Sequence, residues 1–263
     1  MKEKVLSLQN LTMSYSGKDV LNGINLDVYR GQIIGYIGPN GAGKSTTLKI
    51  MLGLVDGYGG TVEIFGHNIA TTDHTYKQKI GYVPENAEIY DNLTAAEYLS
   101  FIAELYGLDR HEAEIKALSL LKEFDMENVF HSRISSFSKG MRQKVLIISS
   151  LLHNPDLIFL DEPLSGLDAN SVMVIKDMLE ALANQGKTIF YSSHIMDVVE
   201  KISNRIVLLV NGDIAADGSF DELKEQSKAG SLESIFNQLT GFDEHKETAE
   251  KIVSIITEDG KNE

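Results

Sequence analysis

Cysteine is absent from the 263 residues. That excludes disulfides, thiol chemistry and cysteine-ligated metals, and it is compatible with a cytoplasmic setting. Long apolar runs are absent too. The longest, such as residues 145–148 and 206–210, are far too short to span a bilayer, so any role at a membrane has to run through a partner. The opening Met1-Lys2-Glu3-Lys4-Val5-Leu6 lacks the apolar core of a signal peptide. Positive charge is scarce: 24 Lys and Arg against 38 Asp and Glu give a formal net charge of −14. A nucleic-acid partner is therefore not expected, since binding a phosphate backbone calls for a basic patch; solubility is the plain reading of the acidity. No internal repeat, low-complexity tract or long linker interrupts the chain. With 43% hydrophobic and 24% charged residues, it has the composition to bury a full core. Its length allows one large domain or one domain with an appendage.

One stretch carries a specific chemistry. Gly38-Pro39-Asn40-Gly41-Ala42-Gly43-Lys44-Ser45-Thr46-Thr47 fits G-x-x-x-x-G-K-[ST] at every fixed position. Residues 32–37 before it read as a buried strand, and residues 46–52 after it read as a helix, which is the context this loop needs. Its glycines permit conformations that a side chain would block. Backbone N–H groups then point into one concavity, and the helix N-terminus adds the positive end of its dipole. Gly38 through Thr46 are expected to cradle the phosphates of a nucleoside triphosphate, Lys44 to reach the β- and γ-phosphates, and Ser45 to ligate Mg²⁺.

The flanking chain alternates strands with helices. Residues 5–8 and 21–28 read as half-buried strands around a turn-like Met13-Ser14-Tyr15-Ser16-Gly17. Residues 59–66 and 79–84 read as short strands. Residues 94–152 turn helical: Thr94 and Glu97 sit as a capping box, and further amphipathic runs cover 111–126 and 140–152. Strands return at 156–163, ending in Asp161-Glu162, and at 188–194, ending in His194, with a helix over 171–184 between them. A hairpin around Asn211-Gly212 follows. The tail from about 219 is acidic, with helical pieces near 232–239 and 247–256.

Such alternation implies a parallel sheet with ligands outside the carboxyl ends of its strands. Gly38, Asp161 and His194 each fall just past such an end. The expected fold is α/β: a P-loop NTPase core with a mostly parallel sheet, N-terminal antiparallel strands and an inserted helical subdomain. Residues 1–222 are expected to form the ATPase domain, with its core in 1–85 and 153–222 and the helical part in about 86–152. Residues 223–263 are expected to be an acidic, largely helical extension.

Asp161-Glu162 is the acidic pair a P-loop needs. Asp161 is expected to hold Mg²⁺ through water, and Glu162, one residue on, is free to polarise the attacking water. The histidines at 67, 74, 111 and 153 show no metal spacing. Taken in order, these pieces resemble the nucleotide-binding subunit of an ABC transporter over about residues 3–222. The resemblance implies that Tyr15 stacks on adenine. It implies that Phe137-Ser138-Lys139-Gly140-Met141 stands where the family has Leu-Ser-Gly-Gly-Gln, keeping Ser138 and Gly140 and departing at Lys139 and Met141. Ser138 would cap the helix whose N-terminus is offered to the γ-phosphate held by the other subunit. Lys139 either adds positive charge at that interface or is solvated. Ser165-Gly166-Leu167-Asp168 matches the D-loop that crosses the dimer interface, and His194 matches the switch histidine that contacts the γ-phosphate and positions Glu162 and water. Glu85 stands where the family usually has a glutamine that ligates Mg²⁺ and links nucleotide to the membrane partner. A carboxylate there binds the ion more strongly and repels phosphate oxygens, so altered metal affinity is expected.

The function implied is an ATP-hydrolysing subunit that powers a separate integral-membrane permease. It would be cytoplasmic, peripheral on the cytoplasmic face of the cell membrane. Two ATP-binding subunits, as a homo- or heterodimer, would close head to tail over two Mg·ATP. Pro84-Glu85 and the runs 138–143 and 232–240 resemble bacterial export-type subunits, so export is the expected direction; the cargo is not encoded here. In the segment 86–97, an exposed Ile89, Tyr90 and Leu93 are expected to meet the permease, with packing under a loop as the other reading. The alternatives are the ATPase of an importer and a soluble single-cassette ATPase of a cytosolic assembly or repair system. A regulatory module without turnover is opposed by Lys44, Asp161, Glu162 and His194. The tail beyond about 223 either packs on the core, mediates dimerisation or hinders association by its acidity.

Overall fold

A computed structural model describes residues 3–86, 89–241 and 245–258. Two twelve-residue strands open the chain, β1 (Lys4–Tyr15) and β2 (Lys18–Tyr29). Each alternates in side-chain direction, so β1 buries Leu6, Leu8, Leu11 and Met13 while β2 buries Leu21, Ile24, Leu26 and Val28. The stretch expected to be a turn at 13–17 is mostly strand. Pairing runs through Met13 with Leu21, Ser14 with Asp19 and Tyr15 with Lys18. Only Ser16-Gly17 turns, with both residues at positive φ.

β3 (Ile33–Ile37) and α1 (Lys44–Met51) follow, then β4 (Gly59–Ile64), the two-residue β5 (His67–Asn68) and β6 (Ile80–Val83). The helical block consists of α2 (Ala95–Leu105), α3 (Arg110–Glu123) and α4 (Lys139–Leu151). Thr94 and Glu97 make both bonds of the expected capping box on α2. The core resumes with β7 (Leu157–Asp161), α5 (Ala169–Asn184), β8 (Thr188–Ser192), α6 (Met196–Ile202), β9 (Arg205–Val210) and β10 (Asp213–Gly218). The chain continues through α7 (Phe220–Ser227), α8 (Leu232–Thr240) and α9 (His245–Glu258).

The strands form two sheets. One is antiparallel, in the order β2-β1-β4-β5; the other runs β10-β9-β3-β8-β7-β6 and is parallel except for β10. The expected class, a mostly parallel sheet with antiparallel N-terminal strands and inserted helices, is the observed one. Parallel strands buried on both faces read as continuous apolar runs, and here the two faces feed two cores. Ile34, Tyr36, Phe159, Phe190 and Val207 pack toward α1 and the antiparallel sheet. Ile33, Ile37, Leu160, Ile189, Tyr191 and Leu208 pack toward the helices α2 to α8. Tyr36 and Phe159 flank Phe190 with ring centroids at 4.8 and 5.7 Å. Such aromatic pairs contribute about 0.5–1.5 kcal/mol each beyond area burial, and they fix the strand from which the P-loop departs.

The tail is partly core. Leu223 of α7 and Leu232 and Ile235 of α8 are buried in the helical core, and the Leu232 N–H donates to the Glu200 carboxylate at 3.1 Å. α9 instead leaves Ile252, Val253, Ile255 and Ile256 exposed. Among the described residues, no helix is long and apolar enough to cross a membrane. One expectation is corrected. Ile89 is 9% exposed and belongs to the core, and Leu93 packs against it; only Tyr90, 62% exposed, stands out, edge-on to Phe101. The cause is local pairing: the Leu93 carbonyl accepts the Ile134 N–H at 2.9 Å and the Asp91 carbonyl accepts the Ser135 N–H at 3.0 Å. That pairing holds the segment under the 130–136 loop. Ala87 and Glu88, within the expected permease-contact segment, lie outside the described residues.

Candidate nucleotide site

β3, β8 and β7 are parallel neighbours, so their carboxyl ends deliver three loops to one edge. The loop after β3 is the P-loop. Gly43 caps α1 at φ 107°, with no side chain taking up the first amides of the helix and no acidic residue in its first turn. The N-terminus is therefore open to an anion. A Cβ on Gly43 would lie 2.6 Å from Leu21 Cδ2 and 2.9 Å from the Val20 carbonyl, so conformation and space both demand glycine. Gly38 is equally confined, against the Leu209 carbonyl. The buried Tyr36 hydroxyl donates to Thr47 Oγ1 at 3.2 Å, which donates to the Gly43 carbonyl at 3.0 Å. The aromatic column thus ties directly to the base of the loop. Lys44 Nζ donates to the Gly38 and Pro39 carbonyls at 2.6 and 3.1 Å. Burial lowers its pKa, against the pull of Glu162, Asp161 and Glu85.

β7 presents Asp161 and Glu162. Burial pushes the Asp161 carboxyl up, opposed by the Ser192 hydroxyl and by Lys44, with Glu85 adding repulsion. Glu162 sits in the left-handed region at φ 48°, a strained conformation for a side-chain-bearing residue. Its N–H donates to the Ser192 carbonyl at 2.9 Å. One carboxylate oxygen, Oε2, accepts from Ser193 Oγ at 3.0 Å. The other, Oε1, lies 3.5 Å from His194 Nε2 and is buried without a hydrogen bond among the described residues. Burial raises the Glu162 pKa, and His194 is the main opposing influence.

Asn40, Gly41, Gly43, Lys44, Ser45 and Thr46 share a cleft of about 340 Å³ with Glu85, Asp161, Glu162 and His194. Of the remaining loop residues, Gly38 and Pro39 reach the site through the carbonyls that hold Lys44, and Ala42 is packed into the core. Tyr15 is 45% exposed at the end of β1, outside the cleft lining. Lys18, Asp19, Val20 and Ser192 line the cleft although the sequence did not single them out. The available signal was proximity: the first three follow the Tyr15-Ser16-Gly17 turn, and Ser192 and Ser193 precede His194.

The donors in the cleft suit a hard cation. Among the described residues, no three His, Asp or Glu side chains gather into a ready-made metal site. Mg²⁺ does not need one, because it keeps waters and binds through one or two carboxylates plus substrate phosphates. Ser45, Asp161 and Glu85, all in the cleft lining, offer only oxygen ligands.

The other expected site residues form a second cluster. Ser138 caps α4, its Oγ accepting the Met141 N–H at 3.2 Å. Lys139 Nζ donates to Ser165 Oγ at 2.8 Å, so its ammonium has a partner within the chain. A Cβ on Gly140 would come within 2.7 Å of the Gly166 carbonyl, so the first turn of α4 packs closely on the 165–168 loop. Asp168 caps α5, accepting the Ser171 N–H at 3.0 Å and Ser171 Oγ at 2.5 Å. These bonds, with Lys144 nearby, hold its carboxyl down to about 2.

The comparisons with known proteins agree with this geometry. The sequence profile of the family described as ABC transporter matches residues 21–165. The chain is 35% identical over 241 residues to the ABC-type transporter ATP-binding protein EcsA of Bacillus subtilis, covering 91% of this chain and 98% of EcsA. It is also 35% identical, over 83% of its length and 70% of the relative's, to the linearmycin resistance ATP-binding protein LnrL of the same organism. A solved ATP-binding subunit of an ABC transporter superposes with a TM-score of 0.84 at 34% identity, covering 89% of this chain and 99% of that one. The chain therefore belongs to the ABC transporter family, as an ATP-hydrolysing, nucleotide-binding subunit.

Proposed function

We propose that this chain hydrolyses Mg·ATP in the cleft at the ends of β3, β7 and β8 and uses the cycle to drive a separate integral-membrane permease in the export direction. The observation that carries the reading is the gathering of Lys44, Asp161, Glu162 and His194 around one cleft. Gly38 through Thr46 cradle the phosphates, Lys44 binds the β- and γ-phosphates, and Tyr15 stacks on the adenine. Glu162 polarises the attacking water while His194 contacts the γ-phosphate and holds Glu162 in place. Ser45, Asp161 and Glu85 would hold Mg²⁺, which would supply positive charge to offset that of the triphosphate. Ser138, Lys139 and Gly140, at the open end of α4, serve the nucleotide of a second ATP-binding subunit, and Ser165 and Asp168 meet that subunit across the interface. The chain sits on the cytoplasmic face of the membrane through its permease. Residues 1–222 act as the ATPase domain, with 223–263 as its extension. The name of LnrL, given for resistance, favours export.

The test is capture of tagged Glu162→Gln protein with Mg·ATP from gently solubilised membranes. A stoichiometric multispanning partner is the expected result; a soluble assembly without one overturns the transport reading and leaves the ATP chemistry standing. Replacing Glu85 tests the metal assignment. The carboxylate adds charge beside Asp161, so Glu85→Gln is expected to raise the Mg²⁺ concentration that half-activates the ATPase, by about tenfold for the loss of one ligand charge. An unchanged Mg²⁺ titration overturns the tighter metal binding expected of the carboxylate.

A further inference from the structure

We infer that Ser193 is a positioning residue for hydrolysis: it locks one oxygen of the Glu162 carboxylate, so that the other alone faces His194. The inference rests on the hydrolytic role of Glu162 proposed above. Ser193 is 1% exposed and follows the last residue of β8. Its hydroxyl has one proton and two lone pairs, and the chain uses both kinds of capacity. The Ile195 N–H donates to Ser193 Oγ at 3.2 Å, which orients the oxygen. The hydroxyl proton is then directed to Glu162 Oε2 at 3.0 Å. Oε1 is left 3.5 Å from His194 Nε2 with no hydrogen bond among the described residues.

The backbone makes this clamp consequential. Glu162 is held at φ 48°, and its peptide is fixed on both sides: its N–H donates to the Ser192 carbonyl at 2.9 Å, and its carbonyl accepts from the Ser165 N–H at 3.2 Å. Three consecutive residues thus contact Glu162, Ser192 through its carbonyl, Ser193 through its hydroxyl and His194 through its ring. Among the side chains of the described residues, Ser193 is the one that restrains the carboxylate by a hydrogen bond within ordinary length, with the His194 backbone N–H also bearing on it. Without it the carboxylate can rotate and present either oxygen, and reactions of this kind lose rate steeply with small misplacements. A purely structural Ser193, satisfying the Ile195 amide alone, predicts something different: lower stability with turnover intact.

The two are separated by kinetics on the purified chain in its turnover-competent assembly. Ser193→Ala is expected to lower kcat by about ten- to a hundredfold, the range for losing a hydrogen bond to a charged acceptor. KM and the Kd of a fluorescent ATP analogue should stay within about twofold, because the residue has no part in uniform nucleotide binding. In a Glu162→Gln background, Ser193→Ala should cause no further loss in the residual rate, since the clamp no longer has its carboxylate to hold. Wild-type kcat in Ser193→Ala overturns the inference, and so does an equal loss in both backgrounds. Wild-type turnover by Glu162→Gln alone overturns instead the role of Glu162 on which the inference stands.

Discussion

Glu162→Gln is expected to lower kcat for ATP by about 10²- to 10⁴-fold, the usual contribution of a positioned general base, while Mg·ATP still binds. The substitution keeps the shape of the side chain and removes its negative charge and, with it, the basicity. It leaves in place Lys44, the open N-terminus of α1 and the Asp161 carboxylate, which line the same cleft. The effect on stability has the opposite sign. Burial raises the Glu162 pKa above the ordinary 4.5. A carboxyl whose pKa is raised on folding binds protons more readily in the folded chain, so stability is lost as pH rises from the unfolded pKa through the folded one. At neutral pH an uncharged amide escapes that loss. The glutamine variant should therefore melt no lower than the parent at pH 7 while turning over far more slowly. Steady-state ATPase with calorimetry checks both halves. A variant with kcat within about threefold of the parent, well under the expected range, removes Glu162 from the chemistry.

Much of this arrangement was legible in the sequence because its signals are local. The P-loop is a contiguous motif, Asp161-Glu162 directly ends an apolar run, Asn211-Gly212 makes the β9–β10 hairpin, and Thr94 with Glu97 announces α2. What escaped is mostly the tertiary contacts between residues. Lys139 meets Ser165 26 positions away, and Ser193 meets Glu162 31 positions away; no spacing rule links them. Lys18, Asp19 and Val20 enter the cleft because the β1–β2 ribbon packs beside Gly43. Ile89 was misplaced because two backbone bonds draw its segment under a loop. α6 spans seven residues and buries only Val199, too few for a helical period to show. α7 carries a readable start, Ser219 with Glu222, both bonds of which form. It buries only Leu223, so the periodic signal that would extend the helix is missing.

Lys44→Ala is expected to weaken ATP binding by at least about 30-fold and up to several thousandfold, because truncating one partner of a desolvated charge pair costs about 2–5 kcal/mol. The cleft explains why the loss is large. Its lining includes Asp19, Glu85, Asp161 and Glu162, against Lys18 and Lys44 as the lysines. The charges of Glu162, Asp161 and Glu85 all bear on the Lys44 ammonium. Without it, an anionic triphosphate meets four carboxylates, with Lys18 as the lysine left in the lining. The fold should survive, since the side chain contributes two hydrogen bonds to loop carbonyls. The net worth of each such bond is about 1 kcal/mol, and burial of the charge works against it. Arginine is a poor substitute: its planar fork differs in shape from a compact ammonium held by two carbonyls of one tight turn. Titration calorimetry with Mg·ATP decides the matter. A Kd within about threefold of the parent, far under the cost of an unpaired charge, would mean that the backbone amides hold the phosphates alone. Binding lost in Lys44→Ala but kept in Glu162→Gln would separate the two tasks of this cleft, phosphate capture by the loop after β3 and water activation by the loop after β7.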